Sequence, residues 1–163
     1  MTSPSEWIES VRRMKRYRPE EEMPENLVSR SENVYWPDAE LTGNPARIGA
    51  MLDCPAQTME VYLQELDPGV AGDLQRHRHE SVHYVLNGEG RSEIGSRTVT
   101  WTQGDLVYTP PWVWHRHYND GAGPARMLLV ENSRLLESLG LNERESAGEV
   151  SYEEHADRER QAR

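Results

Sequence analysis

The chain has 163 residues, of which 36% are hydrophobic, and a formal net charge of -10. That length holds one domain with a filled core and not two. The negative charge repels a phosphate backbone and an anionic membrane surface alike, so neither nucleic acid nor membrane is expected as a partner.

The stretch Ser3-Pro4-Ser5-Glu6 has the form of a capping box with proline at the first helical position. Trp7, Val11 and Met14 then recur on one helical face, which predicts a short amphipathic helix. The basic residues Arg12, Arg13, Lys15, Arg16 and Arg18 are offset at once by Glu20 to Glu22, so they do not form a nucleic-acid patch. Residues 18 to 58 are rich in Pro, Asn, Gly and Asp and read as an irregular arm, with a strand near Arg47 to Leu52, draped over the rest of the chain or over a neighbouring subunit. Cys54, the single cysteine, sits beside Pro55 and reads as a packed or loop thiol. It excludes an internal disulfide framework, and with no apolar run of signal or membrane length the expected location is cytoplasmic.

At Met59 the pattern changes to period two: Met59, Val61 and Leu63 alternate with Glu60, Tyr62 and Gln64 until Asp67-Pro68-Gly69 turns the chain. Further strands are predicted at Ser81 to Leu86, Arg91 to Ile94, Arg97 to Thr102, Leu106 to Thr109, Val113 to Tyr118 and Arg126 to Glu131, with glycine-containing turns between them. Closely spaced short strands without crossover helices exclude parallel α/β units and indicate an all-β antiparallel jelly-roll barrel over 58–132. A short helix over 133–141 follows, stopped by Gly140, and the charged tail 142–163 is expected to be disordered, with His155 exposed in it.

Five of the six histidines fall between residues 77 and 117: His77, His79, His83, His115 and His117. In extended chain His77 and His79 share a face, and His83 shares it if no bulge intervenes; His115 and His117 share a face of a later strand. A barrel carries distant strands across its interior from one another, so the two groups converge. Imidazole suits Fe, Mn, Zn, Ni and Cu, and several buried imidazoles without a ligand would leave polar groups unsatisfied. One divalent transition metal per chain is therefore expected. Glu80 has the opposite parity and points away, while Tyr62, Tyr84, Tyr108, Tyr118, Trp101, Trp112 and Trp114 are expected mostly in the core.

At these residues the chain resembles the cupin superfamily, whose motifs are G-x5-H-x-H-x3-E-x6-G and G-x5-P-x-G-x2-H-x3-N. His77, His79 and Gly90 match the first, with its opening glycine displaced by one at Gly72 and His83 at the glutamate position; Gly104, Pro110, His115 and Asn119 match the second, with Trp112 in place of a glycine. The run from Thr109 to Asp120 is similar to gentisate and hydroxynaphthoate ring-cleaving dioxygenases, of which this would be a single-domain form. That resemblance implies Fe(II) held by His77, His79 and His115, a substrate and O2 at the ion, His117 beside the substrate in a catalytic role, and a homodimer. His83 is expected as a fourth metal ligand. The arginine that the family places six residues after its second motif-one histidine is Val85 here. An Fe(II) oxygenase for a small oxygenated, aromatic or enolic substrate is the expected function. A non-redox isomerase or lyase and a small-molecule-binding module without catalysis are the alternatives.

Overall fold

The computed structural model describes residues 3–14 and 23–162. Lys15, Arg16, Arg18, the acidic run at 20–22 and the side chain of Met14 lie outside the described residues.

Helix α1 spans Pro4–Met14, and its capping box forms as read: Glu6 N–H donates to Ser3 Oγ at 3.2 Å and Ser3 N–H to Glu6 Oε2 at 2.7 Å. The arm that follows carries a 3-10 turn at Ser31–Asn33 and the short helix α2, Ala39–Thr42. The arm leads into strand β1, Arg47–Ala50, and drapes over it: Tyr35 bridges to Ala50, and a side chain at Gly49 would collide with Val34 and the Trp36 ring.

The barrel is built from β2 (Glu60–Leu66), β3 (Leu74–His77), β4 (Ser81–Asn87), β5 (Glu89–Ile94), β6 (Arg97–Thr102), β7 (Leu106–Thr109), β8 (His115–Asn119) and β9 (Ala125–Glu131). Helix α3 (Ser133–Ser138), strand β10 (Arg144–Gly148) and helix α4 (Tyr152–Gln161) complete the chain. Two five-stranded antiparallel sheets result, ordered β1-β2-β9-β4-β7 and β10-β3-β8-β5-β6. The all-β jelly roll is the fold the strand pattern indicates. Its core gathers Leu66, Val85, Met127 and Leu129 from the first sheet with Trp101 from the second, so apolar residues seal one end of the interior.

The face of β2 turned inward is Tyr62, Gln64 and Leu66, opposite Leu129, Met127 and Ala125 of β9, rather than the purely apolar series from Met59 to Leu63. Leu63 is buried nonetheless, opposite Gly49 of β1, and Met59 is exposed. Polar Gln64 is buried there, and its Oε1 has no hydrogen-bond partner.

Gly90 marks the tightest approach in the second sheet. A Cβ there would run into the Tyr118 carbonyl oxygen and come within 2.6 Å of the Trp101 ring. Backbone and a packed indole cannot both retreat, so Gly90→Ala is expected to cost about 3 kcal/mol. A urea unfolding curve with an unchanged midpoint would refute that.

The tail, expected to be disordered, carries two regular elements. β10 adds to the edge of β3 with Arg144 opposite His77 and Glu145 opposite Arg76, and this edge is laced by ion pairs Arg144–Asp73 (2.9 Å), Arg76–Glu145 (2.7 Å) and Arg78–Glu143 (2.8 Å). α4 starts from a second capping box, Ser151 with Glu154. His155 is likewise not exposed: its ring packs edge-on to Trp114 at 4.4 Å and its side chain is 16% accessible. Glu143, Arg144 and Glu145 thus pair across strands, while the charges of α4 at Glu153, Glu154, Arg158 and Arg160 stay exposed.

Of the seven aromatics expected mostly in the core, only Trp101 is fully buried. Tyr84 and Tyr108 stand on the outer face of the first sheet, and Tyr62 lines the interior cavity.

Candidate metal centre

Three strands deliver four of the five histidines. β4 alternates Ser81, His83 and Val85 inward with Val82, Tyr84 and Leu86 outward, and β8 turns His115, His117 and Asn119 inward in the same way. β3 ends at His77, so His79 is not placed by strand parity. The chain bends at Arg78 and His79, and the His79 ring lies flat on His77, with centroids 3.6 Å apart and planes at 10°.

The turn before β8 sets His115. Trp112, at the glycine position of the motif, has φ 59°, and its N–H donates to the His77 carbonyl at 2.6 Å. A left-handed conformation costs a non-glycine residue about 1 kcal/mol or more. The ring of Trp112 is held over both Arg76 (4.7 Å) and Arg78 (4.5 Å), contacts that offset the cost.

All five histidines are buried, none more than 6% exposed. His77 meets His115 at 4.6 Å, His83 meets His117 at 4.4 Å, and His115 and His117 are 5.8 Å apart. His77 Nδ1 lies 2.7 Å from the His79 carbonyl oxygen and His115 Nδ1 lies 2.9 Å from that of Val113. A carbonyl only accepts, so both Nδ1 atoms carry the proton and both Nε2 atoms present a lone pair. Fixing a ring through one nitrogen while the other stays bare is how proteins hold metal-binding imidazoles. His117 Nδ1 is 2.7 Å from Ser92 Oγ, which also accepts from Trp101 Nε1 at 2.9 Å. His83 Nε2 is 3.0 Å from Ser81 Oγ.

Within the cluster, His115 Nε2, His117 Nε2 and His83 Nδ1 are buried with no hydrogen-bond partner. Such atoms call for a ligand. Burial, reinforced by the neighbouring imidazoles, pushes His77 and His115 down to about 3 and His117 to about 4, and holds His83 well below the ordinary histidine range. These rings are neutral at physiological pH, the form a cation requires. His79 differs. Burial pulls it down, but the hydrogen bond and charge of Glu131 and the Asn142 side chain outweigh that and raise it.

As the side chains stand, no three His, Cys, Asp or Glu residues among the described residues meet at one point able to hold an ion. The donor chemistry fits a transition metal: His77 and His115 present an Nε2 lone pair each, and three nitrogens of the cluster are buried without a partner.

A cavity of about 380 Å³ opens onto His77, His79 and His83, with Tyr62, Glu131 and Arg144 also on its wall. His115 and His117 lie off that wall. A larger depression of about 470 Å³, bordered by Ile94, Arg97 and Leu106, holds none of the histidines. Val85 belongs to the apolar core, so no cation stands at that position. Glu80 is directed away, accepting from the Tyr108 hydroxyl at 3.0 Å, as its parity indicated.

Sequence reasoning missed Glu131, Asn142 and Arg144. Glu131 has the parity of Leu129 and Met127 on β9 and sits opposite Ser81, so an inward assignment was available from the alternation. Asn142 and Arg144 come from the tail and carried no such signal.

Residues 62–131 match the Cupin domain family. The chain carries a cupin domain. Over 63 residues it is 42% identical to "Gentisate 1,2 dioxygenase 1" of Aquipseudomonas alcaligenes, covering 38% of this chain and 18% of that protein. It is 31% identical over 85 residues to a 1-hydroxy-2-naphthoate 1,2-dioxygenase of Nocardioides sp. (strain KP7), covering 52% of this chain and 22% of that one. Among solved structures, a single-site mutant of the salicylate 1,2-dioxygenase of Pseudoaminobacter salicylatoxidans superposes with a TM-score of 0.54 at 26% identity, over 60% of this chain and 28% of that one. The chain thus spans about a fifth of the length of these curated relatives. The strands beyond the matched segment, β1 and β10, extend the cupin sheets at their edges. No helix of the described residues is long and apolar enough to cross a membrane.

Proposed function

We propose that this cupin is a metal-dependent oxygenase for a small oxygenated substrate, aromatic or enolic, with Fe(II) as its working ion. The observation that carries the reading is the set of buried imidazoles fixed through one nitrogen with the other bare, above all His115 Nε2. His77, His79 and His115 are the ligands we assign first, with His83 as the fourth. Similarity to proteins named gentisate and hydroxynaphthoate dioxygenases supports oxygen chemistry over the alternatives.

When bound, such an ion supplies a Lewis acid for an enolate or phenolate oxygen and an electron for O2. The protein's residues do the remaining work. The carbonyls of His79 and Val113 lock the tautomers of His77 and His115, so neither ring must reorganise to present its lone pair. Tyr62 offers an aromatic wall to a planar substrate in the cavity, and its hydroxyl, held above its ordinary range by burial and by Glu131 and Glu60, stays protonated as a donor. His117 is assigned to hold or pass a proton at Nε2, with Nδ1 tied to Ser92.

Anaerobic loading with Fe(II), then admission of O2 with hydroxybenzoates, hydroxynaphthoates or enolic acids, tests the reading. Stoichiometric oxygen uptake with at least one such compound is expected. Binding of these compounds to Fe(II)-loaded protein without any oxygen uptake would sink it.

A further inference from the structure

The carboxylate nearest the histidine cluster comes from neither cupin motif. Glu131 closes β9 and lines the cavity beside His77, His79 and His83; its side chain is 13% exposed, with Oε2 3.2 Å from His79 Nε2. The neighbouring acids are otherwise engaged, Glu60 with Ser133 and Arg134 and Glu80 with Tyr108. Among the described residues Glu131 has no lysine or arginine partner.

The other side of His79 decides what the Glu131 contact means. His79 Nδ1 lies 3.1 Å from Asn142 Oδ1, an amide oxygen that only accepts, so Nδ1 carries a proton. In a neutral ring Nε2 is then a lone pair aimed at a carboxylate oxygen. With Nδ1 occupied, Nε2 and the Glu131 oxygen are two lone-pair donors 3.2 Å apart on the cavity wall, a spacing that one cation can bridge.

We propose that in the loaded protein this cation is the metal, and that Glu131 is one of its ligands; the inference rests on the metal-centre reading above. It supplies the anionic donor that His83 removes from the first motif. A site of neutral imidazoles alone leaves a buried dication uncompensated, and one carboxylate lowers its net charge by one.

Mn(II) titrated by calorimetry and Co(II) followed by its visible ligand-field bands, on the full chain, test this. Glu131→Gln is expected to weaken Mn(II) at least tenfold and to shift the Co(II) bands. Glu131→Asp, which keeps the carboxylate, should recover most of the affinity. In a His79→Ala background, Glu131→Gln is expected to cost at least a further tenfold, because a ligand acts independently of the ring it faces. No further loss in that background, or Co(II) bands unmoved in the single variant, would show that Glu131 only holds His79 and would overturn the proposal. Wild-type protein that binds neither ion would overturn the metal-centre reading itself.

Discussion

Brought from pH 7 to pH 5 without metal, the protein is expected to lose most or all of its folding stability. His77, His83, His115 and His117 all have folded-state values below the ordinary histidine value, because burial and mutual repulsion oppose their charging. Above about pH 6.5 these rings are neutral in both folded and unfolded chains, and their packing contributes in full. Below it the unfolded chain takes up protons that the folded chain refuses. Stability therefore falls by about 1.4 kcal/mol per pH unit for each ring. Four rings over the interval to pH 5 amount to roughly 8 kcal/mol, comparable with the whole stability of a typical domain. His79 opposes the trend: its raised value gives stability that is present below pH 6.5 and lost as pH rises through its folded value, but it is one ring against four. Far-UV circular dichroism should show a cooperative transition between about pH 6 and 4.5 in chelator-treated protein, moving to lower pH when a divalent ion holds the rings neutral. A metal-free fold intact at pH 4 would contradict the burial of neutral imidazoles.

Replacing His115 by alanine is expected to weaken Mn(II) or Fe(II) binding by more than about 100-fold, beyond the effect of losing a residue that only orients a ligand. His115 is 1% exposed, its tautomer is locked by the Val113 carbonyl, and its Nε2 has no other partner. His155→Ala is the control: that ring packs on Trp114 and does not line the cavity, and its loss should leave affinity within about twofold. Calorimetric titration of the two variants beside the parent checks both, and equal affinities in all three would remove His115 from the ligand set.

The strands between Ser81 and Glu131 were legible because each carries one buried face. His83 and Val85 against Tyr84 and Leu86, or Val107 and Thr109 against Leu106 and Tyr108, leave an alternation that sequence records. β3 and β10 were not. Leu74-Gln75-Arg76-His77 has one apolar residue and Arg144 to Gly148 has no large one, because what binds these strands is backbone pairing and crossed charges. Composition cannot distinguish paired charge from solvated charge. The capping box of Ser151 with Glu154 was the one local signal that α4 exists, and it is the same pattern that located α1.

The convergence of five histidines was also legible, since parity on β4 and β8 and closure of a barrel suffice for His83, His115 and His117. His79 reached the right neighbourhood by a bend and a ring stack instead of strand parity. Its two hydrogen-bond partners, Glu131 and Asn142, lie 52 and 63 residues away, and only three-dimensional register brings them together.

Elemental analysis of protein purified without added metal or chelator is the most direct test of the central claim, run beside the His115→Ala variant. About one transition-metal ion per chain, lost in the variant, is the predicted result. A wild-type protein that holds none, and still holds none after incubation with Fe(II), Mn(II), Zn(II), Ni(II) or Cu(II), would contradict it.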